Sequence, residues 1–203
     1  MNPHPPSAKT PPARRPQRGF TLIELLVVVS IIAILIGILL PVLSHVRGTA
    51  EKVTCSSALR QLGIVIQAYT IDNKELYPVA RYMPEPFVST RTDPPLTEVL
   101  DGYLDADAAD GNNVYRCPDD DQVFALAGIS YDYDFTFGGE SIEDIMQRRP
   151  FRRLDGDTSK VAIMRDFDNG EFTLISGETI NVPMRHVGRN VLFLDGHVGR
   201  LDF

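Results

Sequence analysis

Histidine and aspartate residues occur close together in the sequence near the C-terminus, and these residue types could bind a metal ion. His186, Asp195 and His197 are near one another in the sequence, and Asp166 and Asp168 could lie near them on a neighbouring strand. Imidazole and carboxylate groups are ligands that transition metals accept. Asp195 also has the residue type of a turn, and the histidines could instead lie at the surface or pack in a hairpin. The pattern therefore leaves both a metal site and purely structural roles open.

Two acidic segments carry oxygen ligands of the kind that calcium prefers. They are Asp119–Asp121 and the DFDNGE segment, in which Asp166, Asp168 and Glu171 are the candidate ligands. Neither segment has the 12-residue spacing of an EF-hand loop. A solvated acidic turn is the alternative interpretation, and we expect no other cofactor.

The sequence contains no familiar catalytic motif. Gly-x-Ser-x-Gly, the phosphate-binding P-loop and His-Glu-x-x-His do not occur in it. We therefore expect a protein that is not an enzyme. A membrane-anchored, metal-dependent hydrolase that uses the dispersed histidines and aspartates is the alternative from a different functional class.

An apolar segment near the N-terminus has the length of a membrane-spanning helix. Residues 20–40 contain one charged side chain, Glu24, and a helix of this length is about 31 Å long. A carboxylate within a membrane costs at least a few kcal/mol, so it is rarely kept without a partner. Four basic and no acidic residues precede the segment, which predicts a cytoplasmic N-terminus and a single pass through the membrane.

The rest of the chain is acidic. Residues 20–203 hold 16 basic and 27 acidic side chains, a net charge of −11. Because such a surface repels phosphate groups, nucleic acid is not expected as a partner.

The stretch RGFTLIELLVVVSIIAILIGILLP places a small residue before the apolar segment, whereas a secretory signal places its cleavage site after it. It resembles the N-terminal signature of type IV prepilins and type II secretion pseudopilins. The resemblance implies that a prepilin peptidase removes residues 1–19 by cutting between Gly19 and Phe20, and that Phe20 is then N-methylated. It also implies assembly roles for Glu24, which would pair with the Phe20 amine of a neighbouring subunit, and for Pro41.

A second resemblance covers the C-terminal sequence RHVGRNVLFLDGHVGRL. It is similar to a processing-associated motif of prepilin-like proteins, H-X9-DG, in which about nine residues separate a histidine from Asp-Gly. Here eight residues separate His186 from Asp195, so the spacing departs from that motif. The segments CSSALRQLGIVIQAYTIDNKELYP and YRCP are similar to the same proteins. The roles of His186 and of the Asp195-Gly196 turn stay open.

Helical periodicity continues after Pro41. Apolar residues recur at steps of mostly three and four, which predicts one helix to about Asp72. They are Leu43, Val46, Ala50, Val53, Leu59, Leu62, Ile66 and Tyr69. Residues 20–41 are then a transmembrane and assembly helix, and residues 42–72 are its amphipathic continuation. Pro41 is expected to kink this helix or to cost it a hydrogen bond.

Residues 73–203 are predicted to form the globular domain. Prolines make residues 73–128 loop-like apart from a short helix over 96–104, and strands are predicted at 129–135, 161–165 and 172–175. Asp195-Gly196 is the preferred two-residue turn of a hairpin whose strands are 190–194 and 197–201. We therefore predict an α+β, pilin-like fold, in which a long N-terminal helix packs on a small antiparallel sheet.

The chain has two cysteines, Cys55 and Cys117. Both follow the apolar segment, on the side of the membrane that is oxidising in most bacteria, so a disulfide between them is reasonable. Two free buried thiols are the alternative, because sequence alone does not fix the pairing.

These observations together predict a prepilin-like structural subunit of a pseudopilus-like filament of type II secretion. A type IV pilus subunit or minor pilin is the alternative. The expected partners are further copies, other pilin-like subunits, the prepilin peptidase, an inner-membrane assembly platform and the membrane itself. We expect the chain in the inner membrane with its globular domain in the periplasm, or in a surface filament.

Overall fold

The computed structural model describes residues 21–89, 92–104, 113–167, 169–184 and 188–201. The chain forms two units, Met1–Ser44 and His45–Phe203. The predicted leader, residues 1–19, lies outside the described residues, so its removal stays a prediction. The division into an assembly helix, its amphipathic continuation and a globular domain also remains a prediction.

The described residues form four α-helices and six strands. The helices are α1 (Leu22–Asp72), α2 (Leu96–Val99), α3 (Val123–Ala127) and α4 (Ile142–Gln147). The strands are β1 (Tyr131–Tyr133), β2 (Ala162–Asp166), β3 (Gly170–Thr173), β4 (Thr179–Val182), β5 (Arg189–Phe193) and β6 (Val198–Leu201). Three short 3₁₀ helices connect them, at Phe135–Phe137, Phe151–Leu154 and Thr158–Lys160. The predicted α+β fold is confirmed.

The part of α1 in the first unit is apolar on all sides. From Leu22 to Leu43, every described side chain is exposed, and the helix continues through Pro41. By length and composition, α1 is the one helix in the described part of the chain that could cross a membrane.

The part of α1 in the second unit buries one face. The buried positions recur at helical steps and are Cys55, Ala58, Leu59, Leu62, Val65 and Ile66. The predicted apolar face is exposed at its start, where Leu43, Val46 and Val53 are 65%, 54% and 63% exposed. The physical reason is that the core side chains that cover this face begin to pack only at Cys55. The predicted end of the helix at Asp72 is confirmed.

A four-stranded antiparallel sheet in the order β1-β2-β5-β6 packs against this part of α1. A Cβ atom on Gly63 would lie 2.8 Å from Leu192 Cδ1 of β5, so a larger residue at this position would require the Leu192 side chain to shift. The hydroxyl of Tyr133 donates a 2.9 Å hydrogen bond to the Pro78 carbonyl, and that of Tyr131 donates a 3.4 Å bond to the Cys55 carbonyl. Both tyrosines of β1 thus bury their rings and satisfy their polar ends.

Strands β3 and β4 form a separate antiparallel hairpin. The sequence predicted β3 at 172–175, but β4 was not predicted. A second apolar cluster supports this hairpin, and its buried members are Met83, Phe87, Val123, Phe167, Leu174 and Val182. The rings of Phe87 and Phe167 meet edge to face, with centroids 5.4 Å apart.

The short helices differ from the sequence prediction. The helix predicted over residues 96–104 ends at Val99, because turns at 100–104 replace its second half. Helix α4 was not predicted, although Ser141 and Asp144 form a complete capping box at its start. This Ser-x-x-Asp spacing was visible in the sequence.

Candidate functional site

The first turn of α1 holds the Glu24 carboxylate in a capping box. Glu24 Oε2 accepts hydrogen bonds from the Thr21 backbone N–H at 2.9 Å and from the Thr21 hydroxyl at 2.7 Å. The Glu24 N–H donates in return to Thr21 Oγ1 at 3.3 Å. The Thr-x-x-Glu spacing could have revealed this box in the sequence. A carboxylate at a helix N-terminus also stabilises the helix dipole.

The residues expected to be processed are Gly19 and Phe20, and both lie outside the described residues. Thr21 and Glu24, which follow them, are described and exposed. The structure therefore places Glu24 at the start of the helix, near in sequence to the expected cut.

The large side chains that follow Glu24 form a continuous apolar surface. From Leu25 to Leu43, their exposed fractions range from 47% to 65%, and a helix that is apolar all round is normally enclosed by lipid or by other helices. Pro41 lies inside this surface and lacks the N–H that would donate to the carbonyl of Gly37.

Cys55 and Cys117 form a disulfide in the structure. Their Cα atoms are 4.8 Å apart across a sequence separation of 62 residues, and the two side chains are 0% and 1% exposed. The bond joins α1 to the segment before β1, where the Cys117 N–H donates to Ser130 Oγ at 3.0 Å. Closing a loop of this size stabilises the fold by about 4 kcal/mol in the chain-entropy account.

The candidate calcium ligands do not form a described site. Asp166 is buried in β2, where its Oδ2 accepts the Asn190 N–H at 3.0 Å. Glu171 is exposed on β3, in the other sheet, and Asp168 lies outside the described residues. In the ranges that the structure describes, no three His, Cys, Asp or Glu side chains are grouped as metal ligands.

Asp195 and His197 shape the C-terminal hairpin. The His197 backbone N–H donates to Asp195 Oδ1 at 3.1 Å, and His197 Nδ1 lies 2.6 Å from the same oxygen. The imidazole stacks on the Phe193 ring, with the ring centroids 4.4 Å apart. Partial burial favours a higher pKa for Asp195, but the hydrogen bonds from His197 outweigh it and lower that pKa. His186, the third candidate, lies outside the described residues.

The predicted two-residue turn of this hairpin was wrong. The Phe193 N–H donates to the His197 carbonyl at 2.9 Å, and the Gly196 N–H donates to the Phe193 carbonyl at 2.9 Å. Three residues, 194–196, therefore connect the strands, and Gly196 alone among them has a positive φ, +86°. A type I turn followed by a left-handed glycine has this geometry.

An ion pair on the sheet, between a buried aspartate and a half-exposed arginine, was also missed by sequence reasoning. Asp132 of β1 is 4% exposed, and its Oδ2 lies 2.8 Å from Arg165 Nε of β2. Burial raises the pKa of Asp132, and the neighbouring guanidinium opposes that shift. Because the two residues are 33 apart in the sequence, only the strand register brings them together.

Two comparisons with known proteins find similarities to this chain. The profile of the prokaryotic N-terminal methylation motif matches residues 14–40. The type II secretion system core protein G of Escherichia coli (strain K12) is 34% identical over 90 residues, which are 43% of this chain and 61% of that protein. The similarity thus spans less than two thirds of the relative. No solved structure gives a significant match.

Proposed function

We propose that this chain is a pilin-like structural subunit of a filament resembling the pseudopilus of type II secretion. The observation that carries this proposal is a coincidence of position. The N-terminal methylation motif matches residues 14–40, and the described part of that range, 21–40, is exposed apolar helix. One segment therefore combines a processing signal with a surface that requires enclosure.

The apolar surface supplies the driving force for anchoring and assembly. Burying one large aliphatic side chain contributes about 1.5–3 kcal/mol, and more than a dozen such side chains between Leu22 and Leu43 are exposed. We infer that lipid covers them in the unassembled subunit and that α1 helices of other subunits cover them in the filament. The partners would be further copies and other pilin-like subunits.

Processing would precede assembly. A prepilin peptidase would cut between Gly19 and Phe20, Phe20 would be N-methylated, and an assembly platform in the inner membrane would then receive the subunit. Before extraction, the chain would span that membrane once, with the basic N-terminus in the cytoplasm and the disulfide-bonded unit in the periplasm.

The similarity to core protein G supports a secretion pseudopilus over a type IV pilus. Deleting the gene should then leave exported proteins trapped in the periplasm, and it should leave surface motility and adhesion unchanged. Loss of motility with normal secretion would favour the pilus role instead. Comparing the secreted proteins and the surface motility of the deletion strain tests the choice.

Mass spectrometry of the mature protein tests the proposal most directly. The expected N-terminal residue is N-methylated Phe20, with the apolar helix retained. A mature chain that begins beyond Leu40 would have lost the assembly helix, and the proposal would be wrong.

A further inference from the structure

A cluster of arginines lies on the acidic second unit. Residues 42–203 contain 16 basic and 26 acidic side chains, yet four of the basic ones, Arg148, Arg149, Arg152 and Arg153, occur within the segment QRRPFRRL. No acidic residue interrupts this segment between Asp144 and Asp155. The charge of the cluster is therefore opposite to that of the unit that carries it.

Packing beneath the cluster holds its backbone in place. The Phe151 ring lies 5.7 Å from the Phe137 ring, and Phe151 and Leu154 pack against the main core. The Arg152 N–H donates to the Arg148 carbonyl at 2.8 Å. The arginines thus project from an anchored turn.

One of the four arginines is already used within the chain. Arg148 forms an ion pair with Glu140, and its Nη1 donates to the Thr136 carbonyl at 2.7 Å. The side chains of Arg149, Arg152 and Arg153 are exposed. In the described ranges of the chain they have no ion pair. Together with Pro150 they line an open cavity of about 530 Å³.

We propose that Arg149, Arg152 and Arg153, the arginine patch, bind carboxylates on the acidic surface of a second copy of this chain. A guanidinium group binds a carboxylate through two parallel hydrogen bonds, and three like charges placed together repel one another unless an anion lies between them. The inference rests on the proposed function, because it requires copies of the chain to lie side by side.

The charge of the chain itself favours a second copy as the partner. Neighbouring second units with an excess of ten acidic side chains repel each other wherever their surfaces approach within a Debye length, about 8 Å at physiological salt. The arginine patch places opposite charge at one such contact. A contact between different surfaces of identical subunits repeats from copy to copy, as an open filament requires.

Photo-crosslinking from the patch tests this inference. The full-length chain would carry Arg152→Cys labelled with a benzophenone, in phosphatidylcholine vesicles. Both native cysteines are disulfide-bonded and buried, so the new thiol is labelled selectively. The expected product at low salt is a dimer crosslinked to a peptide rich in Asp and Glu. Its yield should fall roughly tenfold in 1 M salt, as expected for a few exposed ion pairs.

Charge variants of the labelled chain provide matched controls. Adding Arg149→Gln and Arg153→Gln should lower the dimer yield roughly as much as salt does. Adding Arg60→Gln and Lys74→Gln removes the same charge from exposed positions elsewhere and should leave the yield unchanged. A dimer yield that changes with neither salt nor the patch arginines would overturn the inference. Crosslinked products that contain only lipid would also overturn it.

A second label separates this inference from the proposed function. Ile36→Cys places the benzophenone on the apolar part of α1, which the proposed filament encloses. Dimers from position 36 without dimers from position 152 would disprove only the arginine patch. The absence of dimers from both positions would count against filament assembly as well.

Discussion

The two parts of α1 use apolar side chains in opposite ways. In the first unit, Leu39 is 61% exposed, and its neighbours on every side of the helix are also exposed. In the second unit, Leu62 is fully buried. Between the buried positions of the second part lie polar residues such as Arg60 and Gln61, which are exposed. The comparison shows that one continuous helix buries its apolar side chains in a core at one end and leaves them exposed at the other.

Blocking the expected cut should have the largest effect, because it is all or none. Gly19→Leu should leave the precursor uncut, since we expect the peptidase to accept only a small residue there. The mass of the membrane-bound protein measures this directly. Gly37→Leu is the matched control: nothing lies within 4 Å of a Cβ atom at Gly37, so this variant should be cut normally. Normal cutting of Gly19→Leu would contradict the proposed processing.

Variants of Glu24, in the part of α1 expected to associate, test whether this residue acts as a helix cap or as a charged partner in assembly. Glu24→Ala should still be cut but should yield far fewer filaments, because the Phe20 amine would lose its anionic partner. Glu24→Gln can keep the capping box with Thr21 but carries no charge. Filament yields by electron microscopy distinguish the two, since rescue by glutamine would assign Glu24 to capping alone.

On the folding side, removing the disulfide should cost about 4 kcal/mol of unfolding free energy. The Cys55→Ser and Cys117→Ser double variant tests this in urea, followed by tyrosine fluorescence, which is suitable because the chain has no tryptophan. Wild-type protein treated with dithiothreitol is the control and should lose the same stability. An unchanged midpoint would show that the core alone holds α1 to the sheet.

The same leucine-to-alanine substitution at two positions of α1 should have a smaller effect on the unfolding free energy, and the effect should differ between the two positions. Leu62→Ala should destabilise the second unit by about 3 kcal/mol, because it leaves a cavity in the core. Leu39→Ala should leave urea unfolding of that unit unchanged, because Leu39 is outside that core. Equal losses at both positions would refute the division of α1 into two functions.

Local patterns predicted the elements that depend on local sequence. The spacing of apolar residues predicted α1 through Asp72, and Asp195-Gly196 between two strand-like runs predicted the β5–β6 hairpin. The burial of β1 on both faces could not be predicted in this way, since the ion pair of Asp132 with Arg165 depends on the pairing of β1 with β2.

The candidate site also has features that local sequence predicts and features that depend on the fold. The expected cleavage motif and Glu24 are readable in the sequence because they follow one another at a fixed spacing along the chain. The disulfide was left open, since only the fold brings Cys55 and Cys117 within bonding distance. The arginine patch was overlooked because its significance depends on which arginines find partners, and Arg148 does so through Glu140.

The disulfide also determines how the chain responds to mechanical force. If α1 is held in a filament while the C-terminus is pulled, the force passes through the disulfide. The residues between Cys55 and Cys117 then bear none of it. Those residues cannot lengthen until the bond is reduced. The sequence separation of 62 residues corresponds to about 210 Å of extended polypeptide. A stretched oxidised subunit would therefore be shorter than a reduced one by about this length.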